Sequence, residues 1–262
     1  MKAIIDADII KYYCAGSPNV ESRMYKIQGM ESPVFGYKKD AVEFCEQQEI
    51  NPEKIYKYQE VIDEDQMYEY ADSMIDHFCD DLGTTDIELY IGGKGNFRNE
   101  LYPEYKHKRK DMFQPLLKDE IHSYLVGVYG AIEAHGMEAD DAVAIRYNED
   151  PDNHILCSND KDLDQVPGYH YCTKNRNSYF VDPEAAQFLL YKQIISGDAT
   201  DNIPGARGYG PKKAEKALEG LETEKEMWEK ALDIHGSWEQ ANLTAQLVYI
   251  LRHQEDTWIP PK

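Results

Sequence analysis

The sequence predicts an α/β protein in which a mainly parallel sheet with flanking helices is followed by a helical region. Up to about residue 182, short apolar segments of strand length alternate with longer segments of helical periodicity, a pattern typical of βα units. From Pro183 the apolar spacing is helical to the end of the chain. The 262 residues suffice for one substantial core, or for a core domain with a smaller appendage. We therefore predict an α/β domain over residues 1–182 and a helical region over residues 183–262.

The first half of the chain opens with an apolar strand that leads directly to an acid. Gly29 and Pro33 then separate two strand-like segments, Met24–Ile27 and Val34–Tyr37, which predicts a hairpin. Apolar residues recur at helical spacing from Met67 onwards, which predicts an amphipathic helix. Outside the hairpin, the predicted elements are a strand at 2–5, a helix at 39–48, a strand at 54–59, a helix at 65–82 and a strand at 87–91.

The second half begins with a basic, irregular segment at residues 94–118 that contains Pro103. Overlapping its end, the apolar spacing from Leu116 to Glu133 predicts a helix. Another helix is expected to begin near Glu138. Further strands are predicted at 154–157, 169–173 and 179–181, before the helical region.

The chain is strongly acidic, with a formal net charge of −21, but its charges are unevenly distributed. No Lys or Arg lies between Lys57 and Lys94, whereas basic residues gather at 94–118 and 207–216. The acidic interval includes the predicted helix at 65–82. A solvated helix face is therefore the simpler interpretation, and an acidic partner site is the alternative. A separate basic face would still allow the protein to bind a polyanion.

No apolar run is long enough to cross a membrane and no signal peptide is recognisable, so we expect a cytoplasmic protein without a membrane partner. The five cysteines are widely spaced and form no CxxC pair. This favours reduced, packed thiols over a disulfide framework.

The stretch from Ser196 to Leu218 places two acids before a glycine-rich turn and then a helix that bears three lysines. Pro211 suits the first helical position, where its missing N–H has no intrahelical partner. Glycines can take positive φ and let a ligand approach the backbone, while the helix N-terminus and the lysines attract phosphate. Such a turn can also be a simple helix start, but the flanking acids and lysines favour a nucleic-acid clamp. The residues concerned are Asp198, Asp201, Gly205, Gly208, Gly210, Lys212, Lys213 and Lys216.

Acidic residues follow two of the predicted strands. Asp6 ends the first strand, with Asp8 two residues on, and Asp160 and Asp162 come soon after the strand at 154–157. Ligands of parallel α/β sheets bind beyond the carboxyl ends of the strands, so these acids are expected at one edge. Each of them could instead be a helix cap or a turn residue.

Three more acids, in the segment Gly136–Asp141, stand at a predicted helix start. On a helix Glu138 and Asp141 share a face, while Asp140 is displaced sideways. The helix dipole alone favours acids in a first turn, so a helix start would explain them. The joint occurrence of all these acids is harder to explain. Carboxylates within ~4 Å repel by about 4 kcal/mol per pair at an effective dielectric near 20, which bound cations or protonation would relieve.

A carboxylate cluster without His or Cys selects a hard cation such as Mg²⁺ or Mn²⁺. The eight histidines form no HxH or HExxH pattern, so zinc is not expected. A pair of Mg²⁺ ions can activate a water and stabilise the departing oxygen in phosphodiester cleavage, with basic side chains holding the scissile phosphate.

Three acidic motifs, Gly136–Asp141, Ser158–Leu163 and Gly197–Gly205, occur in the order and spacing of a known family. In this respect the chain resembles the 5′-nucleases, which include flap endonucleases, the 5′→3′ exonuclease domain of bacterial DNA polymerase I and phage 5′→3′ exonucleases. The segment Asn96–Arg109 is similar to the one that leads into the family's helical arch, and Asp6 stands where the family has an N-terminal metal-binding Asp. Compactness and the missing polymerase favour a phage-type exonuclease.

The resemblance implies a PIN-like core, an arch near residues 94–118 and a helix-three-turn-helix at 197–218 that grips duplex DNA. It also implies two or more Mg²⁺ ions, which Mn²⁺ can replace, and a K⁺ ion in the turn at 203–210. The implied metal ligands are Asp6, Glu138, Asp140, Asp141, Asp160, Asp162, Asp198 and Asp201. The implied contacts to the scissile phosphate or the 5′ strand are Arg98, Lys106 and Arg109.

One position departs from the family pattern. After the strand that ends at Ile91 most relatives carry an Asp, where this chain has Gly92 and Gly93. Asp8 lies on the same side of an extended chain as Asp6 and could supply the missing carboxylate. It could equally cap the helix that follows.

The leading hypothesis is a phage-encoded, monomeric, metal-dependent 5′→3′ exonuclease or flap endonuclease in the host cytoplasm. It would act on DNA 5′ ends or flaps, and by extension on RNA/DNA hybrids. The alternative is a catalytically weak protein that binds branched DNA or a replication partner, its metal affinity lowered at Gly92. A PIN-type RNase is a third hypothesis, which the Arg98–Arg109 segment and the C-terminal clamp disfavour.

Overall fold

Strands and helices alternate along the chain, as the sequence pattern predicts. The computed structural model describes residues 1–261, apart from the side chains of residues 110 and 111. The strands are β1 (Lys2–Asp6), β2 (Glu21–Ile27), β3 (Ile55–Val61), β4 (Ile87–Gly92), β5 (Ile132–Ala134), β6 (His154–Cys157), β7 (Gly168–Cys172) and β8 (Asn177–Val181). The α-helices are α1 (Asp8–Ala15), α2 (Lys38–Gln47), α3 (Asp65–Leu82), α4 (Phe97–Leu101), α5 (Lys118–Tyr129), α6 (Ala139–Asn148), α7 (Pro183–Ser196), α8 (Pro211–Leu218), α9 (Glu224–His235) and α10 (Trp238–Val248). Short 3-10 helices lie at Pro52–Lys54, His107–Asp111 and Lys161–Gln165.

A six-stranded sheet forms the centre of the fold, in the order β5-β4-β1-β6-β7-β8. Its neighbouring strands are parallel, except that β7 and β8 form an antiparallel pair at one edge. The prediction of a mainly parallel sheet with flanking helices is therefore confirmed.

The apolar side chains of the central strand β1 are fully buried, as expected for a parallel strand covered on both faces. Ile4 packs with Leu156 of β6 and with Val143 and Tyr147 of α6 in one core cluster. This packing fixes the carboxyl ends of β1 and β6 next to the first turn of α6, which is where the sequence places its acids.

The chain divides into two compact units, and these do not follow the predicted boundary at residue 182. One unit comprises residues 1–9, 77–111 and 129–262, and the other comprises residues 10–76 and 112–128. The C-terminal helices belong to the unit that contains the sheet, because α7 packs against the 3-10 helix at 161–165 and α10 packs against α4. Within residues 1–261, no helix has the length and apolar character needed to cross a membrane.

The smaller unit contains the antiparallel pair β2–β3, in which Glu21 is opposite Val61 and Ile27 is opposite Ile55. The predicted hairpin between 24–27 and 34–37 is therefore wrong. Only a single bridge, Tyr25 to Phe35, joins those segments in the described residues. β2 instead pairs along its whole length with β3, which offers an equally long partner strand.

The helices α7 to α10 pack around a second core that includes Leu190, Ile194 and Trp228. Trp258 closes this core and makes edge contacts with the rings of Tyr191 and Trp228. The prediction that the chain is helical to its end is wrong, since residues 249–261 are not helical. The segment Leu247–Leu251, called here the C-terminal strap, directs its backbone groups to side chains of the sheet unit instead.

The glycine-rich turn uses its glycines for different reasons. Gly208 has a positive φ of 82°, as predicted. Gly205 is needed for close packing, because a Cβ there would lie 2.1 Å from the carbonyl carbon of Ser196. Gly210 is the N-cap of α8, with an ordinary φ of −84°. A positive φ, as predicted for these glycines, is therefore found at Gly208 but not at Gly205 or Gly210.

We predict that Gly205→Ala lowers the free energy of unfolding by about 1–3 kcal/mol, because the methyl group would overlap backbone atoms. Gly210→Ala is the matched control, since no atom lies within 4 Å of a Cβ built there. It should cost about 1 kcal/mol or less, from the weaker N-cap. Denaturant unfolding of both variants measures the difference, and equal stabilities would contradict the packing argument.

Candidate functional site

Acidic side chains gather at the carboxyl edge of the parallel strands. Asp6 is the last residue of β1 and is 3% exposed. It interacts electrostatically with Asp140 and Asp160, although it does not line the neighbouring pocket itself. That pocket is lined by six carboxylates: Glu138, Asp140, Asp160, Asp162, Asp198 and Asp201. The structure thus brings together most of the predicted ligand set.

Several of these acids also have the local roles that the simpler interpretation gave them. Asp6 accepts hydrogen bonds from the Asp8 backbone N–H (3.0 Å) and the Ser158 hydroxyl (2.9 Å). Asp160 accepts from the Asp162 N–H at 2.9 Å, and Asp198 accepts from the Thr200 N–H at 2.6 Å. Capping therefore orients these carboxylates at the edge of the sheet, and the two interpretations are compatible.

Burial and mutual repulsion make these carboxylates hard to ionise. Burial, followed by the charge of Asp8, raises the pKa of Asp6 to about 7. Burial, followed by the charges of Asp160 and Asp198, raises the pKa of Asp162 to about 7. Burial and neighbouring acids likewise raise the pKa of Asp140 and Asp160 above the ordinary value. A cation at this edge would offset this repulsion.

Basic side chains partly compensate the acids on one side of the pocket. Lys106 pairs with Glu138, and its Nζ lies 3.4 Å from Asp201 Oδ2, while Arg109 pairs with Asp201. Burial opposes ionisation of Glu138, but Lys106 and Arg98 outweigh it and hold the Glu138 pKa below its usual value. Lys106 has a left-handed φ of 54°, and its N–H donates to the Asp201 carbonyl at 2.8 Å. This backbone conformation and hydrogen bond hold Lys106 next to the acids.

Among the residues whose side chains the structure describes, no three acids, histidines or cysteines stand close enough together to hold one metal ion. The reason is visible in the contacts: Lys106 and Arg109 hold Glu138 and Asp201, and Gln193 holds Asp162. The donor set nevertheless fits a hard cation, because the pocket offers carboxylate oxygens and no His or Cys.

Two predicted site residues are buried beside the carboxylates, and one of them, Arg98, lines the pocket from its inner side. Arg98 is 2% exposed and makes a two-pronged ion pair with Asp141, at 2.6 and 3.0 Å. Asp141 is fully buried and also accepts the backbone N–H groups of Glu138 and Leu251. Arg98 in turn donates to the Leu247 carbonyl at 2.8 Å. Most of its donors are thus engaged by Asp141 and the backbone, and its Nη1 also lies 4.0 Å from Glu138 Oε2.

The position of Asp141 also corrects the expectation from helical spacing. Glu138 is the N-cap of α6, so its side chain does not follow the helix, and Asp140 accompanies it in the pocket. Asp141 faces the interior instead. Both side chains are engaged in the interior, and the roles of Arg98 as a phosphate contact and of Asp141 as a metal ligand stay predictions.

Asp8 lies against Gly92 at the end of β4. The Gly92 N–H donates to Asp8 Oδ1 at 3.4 Å, and a Cβ built at Gly92 would lie 3.0 Å from Asp8 Oδ2. The Asp8 carboxylate thus occupies the space that a side chain at position 92 would enter. Asp6 provides a carboxylate that accepts a backbone N–H at the start of α1.

The helix after the glycine-rich turn has one packed face and one basic face. Ala214 and Leu218 are buried, whereas Lys212, Lys213 and Lys216 are exposed. Lys213 also donates to the Gly208 carbonyl at 2.9 Å, which ties the helix back to the turn. The lysines that the sequence singled out are accessible on one short helix.

Four residues near the acids were missed by sequence reasoning. Tyr105 OH lies 2.7 Å from Glu138 Oε2 and 3.3 Å from Asp201 Oδ2, Ser158 donates to Asp6, and Gln193 donates to Asp162 in contact with Gln165. Tyr105 and Ser158 lie within the motifs quoted above, but a neutral side chain in a motif gives no signal of its own. Gln193 lies in a helix without any motif, so only the fold shows its role.

The protein is therefore an α/β protein with an acidic site at the carboxyl ends of its parallel strands. The chain belongs to the family described as the 5′-3′ exonuclease, N-terminal resolvase-like domain, whose model matches residues 55–187.

Related proteins agree with this assignment. A flap endonuclease Xni from Shewanella baltica is 31% identical over 147 residues, which cover 50% of this chain and 55% of that protein. A 5′-3′ exonuclease from Mycoplasma pneumoniae is 34% identical over 142 residues, covering 45% of this chain and 47% of that protein. The matches thus span about half the length of these relatives.

Solved structures share the fold. The phage T5 5′-exonuclease with bound zinc ions has a TM-score of 0.60 at 16% identity, covering 94% of this chain and 88% of that one. The T5 D15 protein co-crystallised with metal ions has a TM-score of 0.57 at 20% identity, covering 69% and 81%. At these identities the likeness extends to the chain trace alone.

We predict that Arg98→Met lowers the free energy of unfolding by about 3–5 kcal/mol, because it leaves the buried Asp141 carboxylate without its charged partner. Combining it with Asp141→Asn should recover part of that loss. Arg109→Met is the control, since the Arg109 side chain is 46% exposed and its ion pair should contribute about 1 kcal/mol or less. Denaturant unfolding measures all three. An Arg98→Met protein of wild-type stability that fails to bind DNA would restore Arg98 as a phosphate contact.

We predict that Asp6→Asn stabilises the metal-free protein more at pH 8 than at pH 5. The pKa of Asp6 rises from 3.8 to about 7 on folding, so the folded state binds this proton more tightly and loses stability as the pH rises towards 7. An amide cannot ionise and avoids that loss. Thermal unfolding in EDTA measures the difference between variant and wild type at each pH. The comparison cancels groups that do not interact with Asp6, while loss of the Asp6 charge also eases ionisation of Asp140 and so acts in the same direction. An equal difference at both pH values would contradict the prediction.

Proposed function

We propose that this protein is a divalent-cation-dependent nuclease that hydrolyses phosphodiester bonds at DNA 5′ ends or flaps. The observation that carries the proposal is the pocket of six carboxylates at the sheet edge, with Lys106 and Arg109 in direct contact with it. Its family membership and the names of its relatives, a flap endonuclease and a 5′-3′ exonuclease, support the same reaction class.

The acids Asp6, Glu138, Asp140, Asp160, Asp162, Asp198 and Asp201 are proposed to hold Mg²⁺, or Mn²⁺ in its place. When bound, such ions supply an activated water and stabilise charge on the phosphate oxygens. The chain's own contribution is orientation. Asp6 is fixed by Ser158 and Asp160 by the 3-10 helix that follows it, so few torsions remain to be ordered.

Lys106 and Arg109 are proposed to contact the phosphate that is cleaved. In the structure these cations are paired with the acids that a metal ion would need. Release of Glu138 by Lys106 frees an ammonium group beside the reacting phosphate, where it can stabilise developing negative charge. Tyr105 can hold Glu138 and Asp201 in place during that exchange, since its hydroxyl lies within hydrogen-bond distance of both.

Asp8 is proposed to supply the carboxylate that most relatives carry at the position of Gly92. Its Oδ2 lies where a side chain at position 92 would begin, and its charge contributes to the raised pKa of Asp6. Glycine at position 92 then has a physical reason, because a larger residue would displace Asp8. This arrangement argues against a metal site weakened at Gly92.

The turn and helix at 203–218 are proposed to hold the DNA duplex. The exposed Lys212, Lys213 and Lys216 supply charge on one face, and Gly208 keeps the backbone open to a phosphate. The K⁺ ion implied at residues 203–210 stays a prediction, which duplex affinity in K⁺ against Na⁺ would test. Action on RNA/DNA hybrids likewise stays a prediction.

We expect the protein to cleave 5′-labelled duplex and flap DNA in Mg²⁺ and not in EDTA, and Asp160→Asn to reduce the rate by at least ~100-fold by disturbing the metal site. Asp164→Asn is the matched control. It lies on the same 3-10 helix but accepts a hydrogen bond from Tyr179 (2.8 Å) and does not line the pocket. It should cleave like the wild type.

Other outcomes of this assay would contradict the proposal in distinct ways. Binding of branched DNA without cleavage would favour the structural DNA-binding alternative. Cleavage of single-stranded RNA alone would favour a PIN-type RNase. Full activity in Asp160→Asn would place the reaction elsewhere on the protein.

A further inference from the structure

A chain of two glutamine amides leads from the C-terminal strap to the carboxylate of Asp162. Gln165 is fully buried at the end of the 3-10 helix at 161–165. Its Oε1 accepts from the Ile250 backbone N–H at 3.3 Å, and its Nε2 donates to the Val248 carbonyl at 2.8 Å. The same Nε2 donates to Gln193 Oε1 at 2.6 Å.

The backbone of the strap fixes the direction of these hydrogen bonds. A backbone N–H can only donate and a carbonyl can only accept, so Ile250 and Val248 determine which end of the Gln165 amide is oxygen. Gln165 must then present N–H to Gln193. Gln193 accepts with its oxygen and therefore turns its own N–H groups the other way.

Gln193 donates a hydrogen bond from this amide nitrogen to a carboxylate of the acidic pocket. Its Nε2 donates to Asp162 Oδ1 at 2.6 Å, a short hydrogen bond to a charged acceptor. Asp162 is repelled by Asp160 and Asp198, so without a donor its carboxylate would tend to rotate away from them. A hydrogen bond to one oxygen leaves the other oriented towards the pocket.

We propose that Gln165 and Gln193 are positioning residues that orient Asp162 for a divalent cation, with the direction of the relay set by the C-terminal strap. This inference rests on the proposed metal-dependent function. Neither glutamine is assigned to touch the cation or the DNA. Outer hydrogen-bond partners of metal ligands typically contribute 10–100-fold to metal affinity, so the effect is measurable.

The strap is held from a second side as well, which keeps the start of the relay fixed. Arg98 donates to the Leu247 and Tyr249 carbonyls at 2.8 and 2.7 Å, and the Leu251 N–H donates to Asp141 at 3.1 Å. Along the five residues of the strap, some backbone groups are thus hydrogen-bonded to Arg98 and Asp141 and others to Gln165. The strap connects the helix that carries Asp140 with the 3-10 helix that carries Asp162.

The test is calorimetric titration of the full chain with Mn²⁺, without DNA. Gln193→Met keeps the side-chain length and removes the donor, and we expect it to weaken Mn²⁺ binding by ~10-fold. Gln187→Met is the matched control, because Gln187 lies on the same helix and its Nε2 donates to the Met227 sulfur at 3.9 Å, outside the acidic pocket. It should bind Mn²⁺ like the wild type. DNA affinity in EDTA should be the same in all three proteins.

A second variant tests the direction of the relay. At a pH at which it is ionised, the carboxylate of Gln165→Glu can accept from Ile250 but cannot donate to Gln193. Gln193 should then turn its N–H groups towards position 165 and its oxygen towards Asp162, weakening Mn²⁺ binding by ~10-fold or more. In a Gln193→Met background the same change should have no further effect on Mn²⁺ affinity, which a double-mutant cycle measures.

The outcomes separate the two proposals. If the wild type binds Mn²⁺ and Gln193→Met binds it with the same affinity, the positioning role alone is overturned. Independent, additive effects of the two glutamine substitutions overturn the relay. Absence of Mn²⁺ binding by the wild type overturns the metal-dependent function together with the positioning role.

Discussion

Repulsion among carboxylates at one edge of the sheet is the constraint on which the rest of the structure depends. Parallel strands end at the same edge, so acids placed after β1 and β6 necessarily meet there. The surrounding elements each supply a donor that holds one of them. Ser158 holds Asp6, Lys106 holds Glu138, and Gln193 holds Asp162. Each of these acids is thus held individually by a donor from a different part of the fold.

In the unit that contains the sheet, the basic side chains have two kinds of surroundings, one buried and one accessible. Arg98 lies in the interior, where its fork-shaped guanidinium joins Asp141 to the backbone of the strap. Lys106 and Arg109 remain partly exposed and pair with acids that line the pocket. Proximity in the sequence therefore does not imply a shared role. Only a few residues separate the buried Arg98 from two cations that pair with acids of the pocket.

The sequence was sufficient to predict the mainly parallel sheet, the strand at 154–157 and the acidic helix at 65–82, because periodicity and the position of acids after strands are local signals. It could not predict that β2 pairs with β3, since strand pairing depends on the partner offered by the fold. Nor could it separate Asp140 from Asp141. Which of the two lines the pocket depends on the fact that Glu138 is the N-cap of α6. Its backbone is extended, so helical spacing cannot be counted from it. Gln165 and Gln193 carry no charge and follow no motif, so only their contacts show what they do.

The strap has a consequence for the order in which the site is completed. Residues 247–251 are synthesised after every acid of the pocket, yet they provide the backbone partners of Arg98 and Gln165. During translation, a nascent chain that has already exposed all its acids still lacks the segment that fixes α6 and the 3-10 helix relative to each other. The acids of the site are thus translated first, and the backbone groups that hold Arg98 and Gln165 follow only with residues 247–251.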